Sequence, residues 1–208
     1  MEPGVKKTYR KMYTMGLAHY FTIALHMSME DGEALAKFLC DTLKEEISMS
    51  NASAVEEELA AFLPAHQREN GFAPISEAEA REAHRFAAKT AWHETDKATY
   101  QAMEALIHNL NTMNSRAGAQ VPFSSINYGT CQSQEGRMVM RNLLEATDAG
   151  LGDGETPIFP VQIFKVKEGV NYNPGDPNYD LFKLAMKTSA KRLFPNFSFI
   201  DAPFNLQY

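Results

Sequence analysis

The chain has 208 residues, with 20 Lys and Arg against 26 Asp and Glu, a formal net charge of −6 and a pI of 5.5. This acidic balance disfavours generic binding to the phosphate backbone of nucleic acid. Hydrophobic residues at 44% and charged residues at 22% suit a globular protein that buries a core, and exclude disordered, collagen-like and coiled-coil classes.

Pro3 suits the first turn of a helix over residues 5–25, where Val5, Met12 and Leu17 lie among Lys6, Lys7, Arg10 and Lys11 with no breaker before Gly16. Residues 31–47 carry Leu35, Leu39, Leu43 and Ile47 at four-residue steps, an apolar stripe with Lys37, Asp41, Lys44 and Glu45 between. Ser53-x-x-Glu56 and Ser76-x-x-Glu79 each pair a capping hydroxyl with an acid able to reach back, and predict two helix starts. Between them, Leu63-Pro64 and residues 70–74 read as breaks and loop. From Glu77 the chain is rich in Ala and Glu, and residues 95–113 predict a further helix with Tyr100, Met103, Ile107 and Leu110 on one face.

The character changes at Ser115. Ala117-Gly118-Ala119 interrupts the helix, and residues 121–128 mix β-branched and aromatic side chains, a strand ending at Gly129. A helix over 135–149 stops at Gly150, and a loop through Glu155 leads to a second strand over 158–166. Residues 169–177 form turns, 179–193 an amphipathic helix with Leu181, Leu184 and a Lys183, Lys187, Lys191 row, and 196–200 a third strand. The fold class is α/β: a helical first half, 1–113, then alternating strands and helices over 114–208. Such alternation favours parallel strands with helical crossovers, buried on both faces.

Several candidate sites fail on context. Gly150-x-Gly152-x-Gly154 follows a helix and precedes a strand, the reverse of a phosphate-cradling turn, and reads as a solvent loop. His93-Glu94 lacks the second histidine of a zinc protease, and His19, His26, His66, His84 and His108 have no partner at ligand spacing, so no metal is expected. The two cysteines, Cys40 and Cys131, form neither a disulfide framework nor a Cys-x-x-Cys pair. Cys131 follows a strand end, where a nucleophile or radical carrier would stand, but without a paired His its plain reading is a buried thiol, as for Cys40. No stretch reaches the roughly 18 apolar residues of a membrane span, and the first residues lack a cationic, apolar leader, so a cytoplasmic protein without membrane or nucleic-acid partners is expected.

Two features remain. Lys6, Lys7, Arg10 and Lys11 align on neighbouring stripes of one helix, a solvated face or a triphosphate site. The segment of Ser115, Arg116, Ala117, Gly118, Gln120 and Phe123 leads a polar, glycine-containing cluster into an apolar strand, a plain turn or a ligand loop.

The run from His108-Asn109-Leu110-Asn111-Thr112-Met113 through Ser115-Arg116-Ala117-Gly118 to Val121-Pro122-Phe123-Ser124-Ser125-Ile126-Asn127-Tyr128-Gly129 resembles the anaerobic (class III) ribonucleoside-triphosphate reductases. In the same order, Glu135-Gly136-Arg137, Glu155-Thr156-Pro157-Ile158-Phe159-Pro160, Lys165-Val166-Lys167-Glu168-Gly169-Val170-Asn171 and Ser189-Ala190-Lys191-Arg192-Leu193-Phe194-Pro195-Asn196-Phe197 resemble that family too. Pro3-Gly4-Val5 and the basic helix are also similar to it. The resemblance implies that 1–208 are a partial catalytic domain, a portion of the ten-stranded α/β barrel shared with glycyl-radical enzymes. It implies reduction of ribonucleoside triphosphates to deoxyribonucleoside triphosphates by glycyl and thiyl radicals, with formate as reductant. The whole enzyme is implied to be a homodimer with zinc, ATP and dNTP effectors, and an S-adenosylmethionine-dependent iron–sulfur activase. It makes Lys6, Lys7, Arg10 and Lys11 the effector side, residues 115–123 the specificity loop, and Ser124, Ser125 and Asn127 substrate contacts. No catalytic residue transfers: the family's thiyl cysteine follows a Met-Gly dipeptide and its radical glycine an Arg-Val-Cys run, whereas Met15-Gly16 is followed here by Leu17 and these residues hold no Arg-Val-Cys-Gly run. The expectation is a chain inactive alone, with a non-catalytic nucleotide-binding or dimerisation module as the alternative.

Overall fold

The computed structural model describes residues 1–70, 74–113 and 121–205. It divides into two compact units, Met1–Lys97 and Ala98–Tyr208. The first unit is helical. Helix α1 (Glu2–Ala24) starts on Pro3 and continues through Gly16. Helix α2 (Met29–Thr42) starts at Ser28, whose hydroxyl accepts the Asp31 amide, and ends five residues before the apolar stripe does. The reason is competition: the Glu58 carboxylate takes the amides of Lys44 and Glu45 at 2.8 and 2.9 Å, while Leu43 and Ile47 stay buried without helical backbone.

Helix α3 (Ala52–Glu69) corrects two expectations. It starts at Asn51 after a 3-10 turn, so Ser53 lies inside it and makes no cap, and Pro64 sits within it. Pro64 is itself buried, and its place in the core offsets the cost of the missing amide. The Ser76 box does form: the Ser76 hydroxyl accepts the Glu79 amide and the Glu79 carboxylate accepts the Ser76 amide, at 3.2 and 2.7 Å. It opens α4 (Glu77–Thr112), one continuous helix where the sequence suggested two segments, contributing residues to both units. The core of the first unit joins Tyr13, Leu17 and Phe21 of α1 to Leu39, Leu59, Leu63 and the small Ala80, Ala83 and Ala87 face of α4. That face lets backbones approach: a Cβ on Gly16 would lie 2.9 Å from the Ala87 Cα.

The second unit contains β1 (Ser125–Tyr128), α5 (Gln134–Ala149), β2 (Val161–Val166), α6 (Tyr179–Arg192) and β3 (Asn196–Phe199). Its strands form a parallel sheet in chain order, with Tyr128 beside Phe164 and Phe164 beside Phe197. The molecule is thus mixed helix and sheet, with a helical first half and a small parallel sheet. Both crossover helices cover the same face: Met140 and Leu144 of α5 and Leu181 and Ala185 of α6 pack on Phe164 and Val166.

Candidate functional site

Strand periodicity decides which residues the sheet offers. Successive side chains alternate between faces, so Gln162, Phe164 and Val166 are buried beneath the helices while Val161, Ile163 and Lys165 lie on the other face. Parallel register adds Ser125 and Asn127 from β1 and Asn196 and Ser198 from β3 to that second face. The expectation of strands buried on both faces is corrected here: Ser125 and Asn127 are exposed on this face, and Val161, Ile163 and Lys165 are half-buried. Ser124, proposed with them from sequence, has the opposite parity: its carbonyl accepts the Val161 amide at 2.8 Å, and its hydroxyl is buried with no partner among the described residues. Phe123 is 84% exposed, with its ring edge-on to Phe159. Ser115, Arg116, Ala117, Gly118 and Gln120 lie outside the described residues.

Buried amides tie the strand ends together. Asn171, fully buried, donates to the carbonyls of Gly129 and Lys165 at 3.0 and 2.9 Å and accepts the Lys167 amide at 2.8 Å. Asn178 donates to Gly129 and Cys131 carbonyls and is itself held by Arg137. Asn111, near the end of α4, accepts the amides of Ile158 and Phe159 and donates to the Phe159 carbonyl, fixing the approach to β2. Behind β1, the Tyr128 hydroxyl donates to Gln162, whose amide donates to Thr147, at 2.7 and 2.8 Å. Burial pushes the Tyr128 hydroxyl far above its ordinary pKa, so it remains a donor. These asparagines and Lys165 were missed as candidates; a lone charge inside an apolar strand and Asn between Gly and Pro were the available signals.

The basic helix forms one wall of a second concavity, of about 540 Å³. Lys6, Lys7 and Arg10 line it with Lys44, and so do Asp41, Glu45 and Glu46, four cations against three carboxylates; Lys11 is not among the lining residues. Lys6 pairs with Glu46 at 3.0 Å, and Arg10 donates to the Asp41 carboxylate and the Cys40 carbonyl, both at 2.9 Å. The four expected phosphate ligands are therefore not equivalent: Lys6 and Arg10 are already engaged by acids. Cys40 is buried, which raises its thiol pKa. Cys131 is exposed, its sulfur 3.3 Å from the Ser133 hydroxyl, and a Cβ on Gly136 would strike it. Among the described residues no cluster of three His, Cys, Asp or Glu side chains is arranged to hold a metal, and no helix is long and apolar enough to cross a membrane.

A family model described as anaerobic ribonucleoside-triphosphate reductase matches residues 51–207, which include the whole sheet and its amide ties. The chain belongs to the anaerobic ribonucleoside-triphosphate reductase family. Proteins of that name from phage T4 and from Escherichia coli K12 are 42% and 36% identical to it over 103 residues. The matched stretch is 49% of this chain but 17% of the phage protein and 14% of the bacterial one. A Salmonella typhimurium reductase matches to the same extent, at 36% identity. The family assignment thus covers a limited portion of the reductases it resembles, and the sheet is the part with the most decisive geometry.

Proposed function

We propose that this chain supplies one wall of the ten-stranded α/β barrel of an enzyme that reduces ribonucleoside triphosphates to 2′-deoxyribonucleoside triphosphates. The observation that carries the reading is the sheet: three parallel strands in chain order with helices on one face and a polar second face. A doubly wound sheet reverses its strand order and takes helices on both faces, whereas a barrel wall does neither. The bare face is then the barrel interior. Ser125 and Asn127 hydrogen-bond the substrate sugar or phosphate there, and the packed opposite face helps to keep water from the reacting sugar. Ser124, on the other parity, supports the strand's entry.

The effector reading falls to α1. Lys7 offers a charge with no ion pair to a described residue, Lys6 and Arg10 join it by exchanging carboxylate for phosphate, and Lys11 flanks them. Residues 115–123 connect effector and substrate as the specificity loop. Glycyl-radical chemistry, formate as reductant, a homodimer and an S-adenosylmethionine-dependent activase belong to the whole enzyme. Zinc does not fit the described residues, and no radical step is assigned to them. The chain given activase, S-adenosylmethionine, formate and a ribonucleoside triphosphate is expected to form no deoxynucleotide; turnover by these residues alone overturns the reading of a wall without its reacting centre. Calorimetric titration with dATP, dGTP, dTTP and ATP is expected to show saturable binding that Lys7→Ala/Lys11→Ala weakens. Binding unchanged in that double variant removes the effector assignment.

A further inference from the structure

The alternation that leaves one face of the sheet bare puts a cation on it. Lys165 has the parity of Val161 and Ile163, away from the helices, is half-buried, and its ammonium group has no hydrogen bond or ion pair to a described residue. A partly desolvated charge without a counter-charge is costly, which makes the position intelligible when an anion occupies it. Its neighbours across the sheet are small: buried Gly129 at the end of β1, where a Cβ would come within 2.5 Å of the Lys165 carbonyl, and Ser198, its register partner on β3. The backbone at Lys165 is held by Asn171, so the ammonium projects from a defined point near the C-terminal ends of the strands, where parallel α/β structures bind their ligands.

We infer that Lys165 binds the phosphate chain of the nucleotide whose sugar lies against Ser125 and Asn127. This rests on the bare face being the substrate side. The rows of the sheet set the spacing: Ser125 with Val161, Asn127 with Ile163, then Lys165 with Ser198. At about 3.3 Å per residue the first and last rows lie about 13 Å apart, the reach of a ribose with its phosphates. The lysine acts as a compact point charge on phosphate oxygen, and the Ser198 hydroxyl donates beside it.

The test is an amide-resolved NMR titration of the 208-residue chain with inorganic triphosphate, and separately with CTP. The expected result is saturable shifts at Gly129, Val166 and Asn171, with affinity for both ligands falling roughly tenfold in Lys165→Gln, largely kept in Lys165→Arg, and unchanged in Lys187→Gln on the exposed side of α6. Retained amide dispersion shows that each variant folds. Unchanged triphosphate affinity in Lys165→Gln overturns the assignment, as do shifts at these amides that saturate with formate but not with triphosphate. Asn127→Ala separates this inference from the reading beneath it. If Lys165→Gln is silent while Asn127→Ala weakens CTP, the substrate face stands and the lysine assignment falls. If Lys165→Gln weakens triphosphate while Asn127→Ala leaves CTP unchanged, the lysine site stands and the sugar contact falls.

Discussion

The two units bury polarity in different ways. The helical unit draws most of its backbone into helices, and its core holds a buried side-chain pair, the Tyr13 hydroxyl and His84 Nδ1 at 2.9 Å. The sheet unit must turn the chain at the end of every strand, and there buried amides, Asn111, Asn171 and Asn178, take over what helical bonds do elsewhere. A helix closes its own ledger of donors and acceptors; a strand–loop–helix junction leaves carbonyls that only side chains reach. Damage should accordingly stay within the unit where it is made, and should differ in kind.

The largest expected effect is Asn171→Ala. It removes the side-chain partner of the Lys165 carbonyl and the Lys167 amide and one of the two donors to the Gly129 carbonyl, which keeps Asn178, and unsatisfied buried groups cost about 1–3 kcal/mol each before water enters. Native-state hydrogen exchange should show β1 and β2 amides opening more easily by about 3 kcal/mol, with α1 to α3 unchanged. Equal loss in both units would show that they unfold together and would dissolve the contrast.

Gly16→Ala is the counterpart in the helical unit. The added methyl would meet Ala87 backbone at 2.9 Å, and backbone cannot rotate away as a flexible side chain does. Overpacking of this kind costs about 1–3 kcal/mol, read as faster exchange in α1 and the first half of α4 with the sheet unaltered.

These two sites also mark what the sequence did and did not disclose. The order of elements in the second half was legible, because glycines stand where they end, as Gly150, at φ 87°, does after α5, but β1 and β2 start later than the sequence suggested and one face of the sheet is less buried than expected. In the first half local signals lost to packing. Pro64 reads as a breaker but is buried inside α3, Ser53 reads as a cap but follows one, and the stripe through Ile47 outlasts its helix because Glu58, distant in sequence, captures the next amides. Site residues divided along the same line. Ser125 and Asn127 could be named from a motif, but the parity that separates Ser124 from them, and that brings Lys165 beside them, needs strand register, which only the fold supplies. Likewise the row of basic residues was visible, and the carboxylates that neutralise two of them were not.

A smaller effect tests the buried Tyr13–His84 pair of the helical unit. Burial, aided by Arg85 and opposed by Glu56, holds the His84 pKa below its ordinary value. A depressed histidine contributes stability that is complete above the unfolded pKa of about 6.5 and is lost as pH falls below it toward the folded value. Unit 1 should lose stability below about pH 6.5 with a slope no steeper than about 1.4 kcal/mol per pH unit. His84→Gln should flatten that slope while the sheet keeps its own acid profile. An unchanged slope would mean that His84 is protonated in the folded protein as readily as in the unfolded one.

The smallest change in stability is expected from Asp41→Asn, and it separates the two anion sites from each other. The Arg10–Asp41 pair is exposed on both sides, so its loss should shift unit 1 by less than about 1 kcal/mol. Yet the substitution frees a guanidinium in a concavity where cations and carboxylates nearly balance, and nucleotide affinity at α1 should rise by a few fold. On the sheet Lys165 is paired with no acid among the described residues, so no removal of an acid should help and only loss of Lys165 should hurt. If Asp41→Asn weakens nucleotide binding at α1, the carboxylate is orienting Arg10 for the ligand rather than competing with it, and α1 is a preorganised site of the same kind as the sheet.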